Sequence, residues 1–339
     1  MYYCGLDLGK KSSHFCIVDE NRAILKRGIV RNRVVDLFKC FGDLPPMRIV
    51  LEASTKAFWM ADRLEELGHE AVVVDPGKTK AIGAARIKHD KLDAKILAEL
   101  CAADLLARVD RVSESERLSR LVVVGRDSLV RSRVRLVNTV RSILDSEGIE
   151  LKNCKVTSFV SKVEELMDTI PSAMTTAIEP LLAGIRSICE HIEACDVQMH
   201  ETMRNDADVK RIMTAPGMGV ITASCFLMAV RSAERFRSGR QVGAYLGLVP
   251  SLYQSGQTLC RGKITKRGNR QARWALCVAA NALLRGKKQS ALKSWGESLV
   301  ERLGRKKAVI AIARKLCSVL WAMMKNKTDF EPRLNAAQE

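Results

Sequence analysis

The sequence lacks the patterns that mark zinc proteins and membrane proteins. Its 11 cysteines are scattered, none stands in a C-x-x-C pair, and none of its five histidines joins a cysteine in a ligand spacing. This usage indicates reduced thiols in a cytoplasmic protein, where a bound metal ion would be held by carboxylates. No apolar run reaches the roughly 18 residues that span a membrane, and we expect no signal peptide because a basic, then apolar, N-terminal pattern is missing.

Acidic residues are scarce in the last third of the chain. Between Cys260 and Lys327 there are 18 lysines and arginines but only two acids, Glu297 and Glu301, and the whole chain carries a charge of +18. Such self-repulsion contributes nothing to stability, so we expect a polyanionic partner, and nucleic acid fits best. Aromatic residues make up only 5% of the chain, and no base-reading helix stands out, so we expect contacts mainly with nucleic-acid backbones.

The first 75 residues alternate between strand and helix patterns. Apolar alternation and turn residues predict five strands and two helices. The strands are Tyr2–Leu8, His14–Asp19, Ile24–Val30, Arg48–Leu51 and Ala71–Val74, and the helices are Val34–Phe41 and Phe58–Leu67. This β-β-β-α-β-α-β order resembles the α/β ribonuclease-H-like (RuvC-like) fold, in which strands 1 and 4 are neighbours and a later helix packs across them.

Two long helical segments follow. Ser115–Leu144 and Met174–Met203 have apolar residues at helical spacing, which predicts an antiparallel coiled-coil arm. The first segment carries almost only arginine on its other faces, which favours a functional surface over a merely solvated one. We therefore divide the chain into a catalytic domain (1–112), a helical arm (113–204), a basic, mostly α domain (205–330) and a tail (331–339).

Four carboxylates stand where the ribonuclease-H-like order would bring them together. Asp7 lies within an apolar strand, Glu52 follows another, and Asp90 and Asp93 begin a helix. Such a cluster is stable only with divalent cations, which can activate an attacking oxygen at a phosphodiester. Two alternatives stay open: Asp90 and Asp93 as helix-dipole partners, and Asp7 within Asp-Leu-Gly-Lys-Lys-Ser, which resembles a phosphate loop of actin-like kinases.

These acids carry a more specific resemblance. Asp7, Glu52 and His89-Asp90-Lys91-Leu92-Asp93-Ala94 resemble the D-E-D-D pattern of bacterial insertion-sequence transposases of the IS110 and IS1111 group. These proteins are relatives of the Piv-type DNA invertases and are known as bridge-RNA-guided recombinases. The family usually has Asp-Arg-x-Asp-Ala, and Lys91 replaces the arginine here, which leaves the four acids intact.

Two patterns in the basic domain favour nucleic acid. The pattern of residues 212–223 predicts a helix, a Pro-Gly-x-Gly hairpin and a second helix, which resembles a helix-hairpin-helix motif. In such a motif the backbone amides at Gly217 and Gly219 would contact a phosphate. The alternative is a purely structural turn. Tyr245–Pro250, Ser255-Gly256 and Gly262–Arg273 resemble the second block of the same transposases. Ser255 matches the family's serine, with Ser251 as the alternative. The cations of this second block would surround a phosphate. They are Lys263, Lys266, Arg267, Arg270 and Arg273.

The resemblance implies a transposase or DNA recombinase with a composite site, completed between protomers. The acids would hold Mg²⁺ or Mn²⁺, and Ser255 would attack a phosphodiester and stay covalently attached. The implied partners are donor and target DNA, a noncoding guide RNA and further copies of the chain in a dimer or tetramer, with no membrane. The protein would be cytoplasmic and nucleoid-associated when bound. The alternatives are a RuvC-like junction endonuclease without a covalent intermediate, and a non-catalytic RNA-binding scaffold.

Overall fold

The computed structural model of the chain describes residues 1–77, 90–255 and 258–332, and at positions 90, 91, 254, 255, 258, 259 and 261 it describes the backbone alone. The chain forms two compact units, Met1–Leu118 and Ser119–Glu339. The division into three domains and a tail therefore stays a prediction, and most of the tail lies outside the described residues.

The first unit is built on a five-stranded mixed sheet. Its strands are β1 (Tyr3–Leu8), β2 (Ser12–Val18), β3 (Ile24–Arg31), β4 (Arg48–Glu52) and β5 (Glu70–Val74). They lie in the order β3-β2-β1-β4-β5, with β1, β2 and β3 antiparallel and with β4 parallel to both β1 and β5. The predicted element order and the adjacency of the first and fourth strands are confirmed.

Helices cover both faces of this sheet. Helices α1 (Val34–Phe41) and α2 (Ala57–Glu66) pack on one face, where Leu6, Phe41 and Leu64 are buried in the main cluster. Helix α3 (Asp90–Ala102) crosses the other face, and its Leu97 and Cys101 pack against Val50 of β4. The sheet is therefore covered on both faces, as a sheet with parallel strands requires.

Helix α3 comes unusually close to β1 at Gly5. A Cβ atom at this position would lie 2.5 Å from the Ala98 amide nitrogen and 2.8 Å from the Leu97 Cβ. Only glycine fits such an approach. This contact fixes the height of the helix above the strand that carries Asp7.

Two long helices begin the rest of the chain. They are α4 (Glu114–Ser146), within which the boundary between the units falls, and α6 (Ser172–Met203); the short α5 (Phe159–Glu164) lies between them in sequence. Arg126 of α4 forms an ion pair with Asp196 of α6, while Leu144 packs with Ile178 further along. The two helices are thus antiparallel.

The second unit continues with helices around a common core. These are α7 (Ala207–Met213), α8 (Val220–Val230), α9 (Gly239–Tyr245), α10 (Arg270–Arg285), α11 (Ala291–Leu303) and α12 (Arg305–Asn326). Phe226, Leu276 and Leu316 are fully buried in this core. Between α9 and α10 the chain forms an antiparallel pair, β6 (Pro250–Ser255) and β7 (Thr258–Ile264), which the sequence analysis did not predict.

Within the described residues, every helix is too short or too polar to cross a lipid bilayer.

Candidate active site and nucleic-acid interface

Asp7 and Glu52 are neighbours at one edge of the sheet. In the parallel pairing of β1 and β4, Leu6 lies opposite Leu51, so the next position brings Asp7 beside Glu52. Side chains at paired positions share a face, and this face is the one that α3 covers at Gly5 and Val50. Both carboxylates are half-buried. The predicted proximity of these two acids is therefore supported by the strand register.

The start of α3 lies toward the same edge. Gly5 packs against Ala94 and Ala98, whereas Tyr3 at the other end of β1 contacts the cluster that contains Cys101. Helix α3 is therefore antiparallel to β1, and its first turn approaches the end that carries Asp7. Asp93 is half-buried next to the fully covered Ala94. We call the positions Asp7, Glu52, Asp90 and Asp93 the acidic edge.

A metal site at the acidic edge stays a prediction. The side chain of Asp90 lies outside the described part of the structure, and among the described side chains no three His, Cys, Asp or Glu residues form a metal-binding group. The available donors nevertheless fit a hard divalent cation, because Asp7, Glu52 and Asp93 all offer carboxylate oxygens. The strand register and the direction of α3 bring these positions to the same edge of the sheet.

Sequence reasoning missed His14. In the antiparallel pairing of β1 and β2, His14 lies opposite Asp7 and therefore on the same face of the sheet. Its side chain is half-buried. The signal was present as a polar residue inside an apolar strand, but its partner became visible only with the register.

Ser255 is placed at the tip of a β-hairpin. Strands β6 and β7 pair from Pro250–Ile264 up to Ser255–Thr258, and we call this element, Pro250–Ile264, the serine hairpin. Only positions 256 and 257 separate the paired tip residues. The Ser255 side chain and Gly256 lie outside the described residues. The backbone nevertheless places Ser255 at the turn end of the hairpin, opposite the base formed by Pro250 and Ile264.

Ser251 occupies a different position in the same hairpin. It lies near the base, and its hydroxyl donates a hydrogen bond of 3.1 Å to the Lys263 carbonyl oxygen. Four residues of extended strand separate it from Ser255, which is about 13 Å. The two candidate nucleophiles therefore cannot serve the same phosphate without movement of the hairpin.

The base of the serine hairpin interlocks with the loop 265–269, which we call the anchor loop. Gly247 and Gly268 both have left-handed backbones, with φ of +72° and +75°. A Cβ on Gly247 would lie 2.5 Å from the Arg267 nitrogen, and one on Gly268 would lie 3.2 Å from the Tyr245 carbonyl carbon. The two motifs that carry the resemblance are thus two halves of one packed turn.

Arg273 holds this turn together. Its Nη1 donates hydrogen bonds to the carbonyl oxygens of Leu246, Arg267 and Gly268, at 3.0, 2.6 and 3.0 Å. Desolvation by the surrounding chain lowers the pKa of the Arg273 guanidinium from its usual value. The structure thus shows Arg273 bracing the loop, a role that the sequence analysis did not foresee.

The other four predicted cations face solvent. Lys263, Lys266, Arg267 and Arg270 are exposed, and none takes part in an ion pair within the described residues. Asn269 caps α10 by accepting a hydrogen bond of 3.0 Å from the Ala272 amide, which fixes Arg270 as the first helical residue. These side chains, of which Lys263 belongs to the serine hairpin and the others follow it in sequence, form what we call the cationic patch.

The glycines between α7 and α8 have structural roles. Gly217 has φ of +80°, and a Cβ there would lie 2.9 Å from the Ala279 carbonyl carbon of α10. The Gly219 amide donates a hydrogen bond of 2.8 Å to the hydroxyl of Thr222. Gly217 therefore permits close packing, and the Thr222 hydroxyl caps the Gly219 amide at the start of α8, so phosphate contact by this turn stays a prediction.

The cysteines offer no competing nucleophile in the cores. All 11 are free, and burial raises the pKa of the Cys101 thiol to about 12 and that of Cys225 to about 11. Only a thiolate is a good nucleophile, so these buried thiols are inert near neutral pH.

Comparison with known proteins gives the family. Residues 209–294 match the family described as Transposase IS116/IS110/IS902 family, and residues 4–149 match the IS110-type DEDD transposase domain. A protein of Pseudomonas aeruginosa named "Probable family 20 transposase" is 30% identical over 335 residues, which is 97% of this chain and 98% of the relative. The chain belongs to the IS110 family of insertion-sequence transposases, enzymes that cleave and transfer DNA strands.

Further relatives carry similar names. The transposase of insertion sequence element IS1328 from Yersinia enterocolitica is 27% identical and covers 96% of this chain and 97% of its own length. The transposase of element IS1111A from Coxiella burnetii is 26% identical, and the match covers 94% of this chain and 88% of the relative. For this IS110-family transposase, the acidic edge lies in one matched region and the serine hairpin with the anchor loop in the other. Membership also favours the nuclease interpretation of Asp7 over the kinase-like phosphate loop.

Proposed function

We propose that this transposase cuts and rejoins DNA with a divalent metal site at the acidic edge and with Ser255 as its nucleophile. The observation that carries the first part is the register of β1 and β4, which places Asp7 beside Glu52 under the start of α3. This arrangement, with three antiparallel strands followed by two parallel ones, supports a ribonuclease-H-like fold for the first unit.

The acidic edge would hold Mg²⁺ or Mn²⁺. The ligands are the carboxylates of Asp7, Glu52, Asp90 and Asp93, and a DEDD transposase domain typically uses a divalent metal. When bound, such ions favour the ionised form of an attacking oxygen and stabilise negative charge on a leaving oxygen. The contribution of the chain is to hold the carboxylates on the sheet, and His14, which pairs with Asp7 across β1 and β2, would orient that carboxylate.

The serine hairpin would carry out the covalent step. The Ser255 oxygen attacks the phosphorus of a DNA strand, the serine proton is lost, and the strand oxygen leaves and takes up a proton. One phosphoester bond forms as another breaks, so the bond energy is kept in the phosphoserine ester and no ATP is needed. The hydroxyl of an incoming strand then reverses the exchange.

The cationic patch would place the phosphate. Lys263, Lys266, Arg267 and Arg270 are exposed around the serine hairpin, and such cations stabilise the extra charge of a pentacoordinate phosphorus. Arg273 would act indirectly, because its hydrogen bonds to the anchor loop hold the backbone that carries Lys266 and Arg267. It is a positioning residue.

The partners in this proposal are donor DNA, target DNA and a noncoding guide RNA. The charge of +18 and the scarcity of aromatic residues support contacts with nucleic-acid backbones, with base pairing to the RNA selecting the sites. The composite site of acids and serine, completed between protomers of a dimer or tetramer, is part of the same proposal, as is a cytoplasmic, nucleoid-associated location.

A trapped covalent intermediate tests the mechanism. Labelled DNA with a nick near the exchange point prevents rejoining, and a denaturing gel then separates free DNA from protein-linked DNA. The wild-type protein should give a protease-sensitive shifted band, and Ser255→Ala should not, although it still binds DNA. Ser251→Ala is the matched control and should keep the band.

Two other outcomes have clear meanings. If Ser255→Ala forms the band and Ser251→Ala does not, the nucleophile lies near the hairpin base. If no protein forms the band while DNA is cut, water is the nucleophile and the junction-endonuclease alternative is correct.

A further inference from the structure

A basic cleft lies between α9, α11 and α12. Its volume is about 140 Å³, and we call it the cation cleft. The residues that line it are Arg240, Trp295, Ala311, Arg314, Lys315 and Ser318. Three of these six carry positive charge, one is aromatic, one has a hydroxyl and none is acidic. Two other clefts differ from it: one has Asp127 among its cations, and the other has Arg27 as its single arginine.

Close helix packing brings these side chains together. A Cβ on Gly239 at the start of α9 would lie 2.8 Å from the Ser318 Cβ of α12, so the two helices meet almost backbone to backbone. One turn later, a Cβ on Gly243 would lie 3.4 Å from the Arg314 side chain. The small residues on α9 therefore allow Arg240 and Arg314, from two different helices, to line the same cleft. Repulsion between the two positive charges disfavours this arrangement unless an anion lies between them.

We propose that the cation cleft binds an unpaired nucleotide, with a backbone phosphate held by Arg240, Arg314 and Lys315 and with its base against Trp295. The cleft volume of about 140 Å³ leaves room for a phosphate group. The base would then rest at the mouth. This site adds to the cationic patch and does not depend on Ser255 or on the acidic edge.

The side chains select the class of ligand. Arginine forks match the oxygens of a phosphate, and a serine hydroxyl can donate to a third oxygen. An aromatic wall adds nothing for a carboxylate-rich peptide, but it provides the stacking surface that single strands use. In a duplex the base faces are already stacked, so only an unpaired base reaches Trp295.

The cleft is also placed for use by a strand that passes the serine hairpin. Arg240 stands at the start of α9 and Tyr245 at its end, five residues or about 7.5 Å along the helix. Tyr245 packs on Gly268 of the anchor loop. A strand whose phosphate occupies the cleft could therefore continue toward the cationic patch within a few nucleotides.

Removal of the cations tests the phosphate contact. Binding of fluorescein-labelled 12-mers of deoxythymidine and of uridine to the full chain is measured by anisotropy at several salt concentrations. The double variant Arg240→Gln/Arg314→Gln should lower the slope of log K against log salt by about 0.7, because the two arginines hold one phosphate and each phosphate contact on a single strand is worth about 0.7. The control Lys287→Gln/Lys288→Gln removes the same charge from an exposed loop and should leave the slope within 0.3 of the wild type, a margin of about half a contact.

Replacement of Trp295 tests the stacked base. Trp295→Phe keeps an aromatic face and should bind like the wild type, whereas Trp295→Leu should bind both 12-mers about tenfold more weakly. Thermal unfolding establishes that each variant is folded. With 5-iodouracil in the 12-mers, ultraviolet light should cross-link the wild type at Trp295, as located by mass spectrometry.

The outcomes separate support from refutation. Loss with deoxythymidine alone assigns the cleft to a displaced DNA strand, loss with uridine alone assigns it to RNA, and either supports the proposal. Equal binding by Trp295→Leu and Trp295→Phe, or cross-links that avoid Trp295, would refute the stacked base. If the double arginine variant matches the lysine control, or if a 12-mer of glutamate competes as well as the nucleotides, the cleft is not a phosphate site.

Discussion

Asp7 and Glu52 acquire their common position from two strands that end at the same edge. Each acid is the residue after a buried leucine, and the two leucines pair across β1 and β4. The sequence predicts both acids because a carboxylate next to an apolar strand needs a partner. It could not predict His14, since the partner of a strand residue depends on register and not on its own neighbours.

The first prediction concerns these two acids. Asp7→Asn and Glu52→Gln should each lower magnesium-dependent strand cleavage at least a hundredfold, because an amide is a poorer metal ligand and carries no charge. The fold should survive, since loss of one like charge relieves repulsion. Cleavage of end-labelled DNA and thermal unfolding measure the two effects.

A matched control lies on α3. Glu99 is paired with Lys95 at 3.4 Å on the partly exposed side of that helix, so Glu99→Gln should cost no more than about 1 kcal/mol of stability. Its cleavage rate should equal that of the wild type. Wild-type cleavage by either Asp7→Asn or Glu52→Gln would remove these residues from the active site.

The second prediction separates two arginines of one motif. Arg267 is exposed, so Arg267→Gln should leave the melting temperature unchanged and lower the salt slope of duplex DNA binding by about 0.9. Arg273 donates to three carbonyl oxygens, so Arg273→Gln should lower the unfolding free energy by about 1.5–3 kcal/mol. If the two variants behave alike, the division into contact and positioning residues is wrong.

At the scale of elements, the strands of the first unit were predictable and the serine hairpin was not. The five strand predictions fall within two residues of the observed ends because apolar residues alternate and turns are rich in polar residues. In residues 250–264 the apolar residues do not alternate and two glycines interrupt the pattern, so nothing marks β6 and β7 as strands. The close packing of Gly247 on the anchor loop is likewise a contact that the sequence pattern does not reveal.

The third prediction tests the contact that sets α3 above β1. Gly5→Ala introduces a Cβ at 2.5 Å from the Ala98 nitrogen, so α3 must move and the unfolding free energy should fall by about 1–3 kcal/mol. Cleavage should fall as well, because the start of α3 carries Asp90 and Asp93. Urea denaturation and the DNA cleavage assay measure the two effects.

Gly125 is the matched control for that change. It lies in the exposed middle of α4 with no atom within 4 Å of a Cβ, so Gly125→Ala should raise helix stability by about 0.5–1 kcal/mol. Its cleavage should be unaffected. A stable and active Gly5→Ala protein would contradict the close approach of helix and strand.

At the scale of the whole molecule, charge and composition predicted the class of partner. The excess of 56 basic over 38 acidic residues requires counter-charge, and membership in a transposase family identifies DNA as one source of it. Composition could not locate the cation cleft. Arg240 and Lys315 are 75 residues apart in sequence, and they line the same cleft only because their helices pack together.

The last prediction concerns the guide. In the proposed function the protein contacts mainly backbones, and base pairing to a guide RNA would choose the DNA sites. Protein purified at low salt should therefore carry RNA, and steep salt dependence should allow its removal at high salt with ribonuclease. The stripped protein should not recombine matched donor and target DNA, and the extracted RNA should restore recombination, whereas transfer RNA of equal charge should not. Recombination by RNA-free protein at the wild-type rate would mean that the chain reads DNA directly, as an invertase does, and residue contacts to base edges would then have to be sought in the second unit.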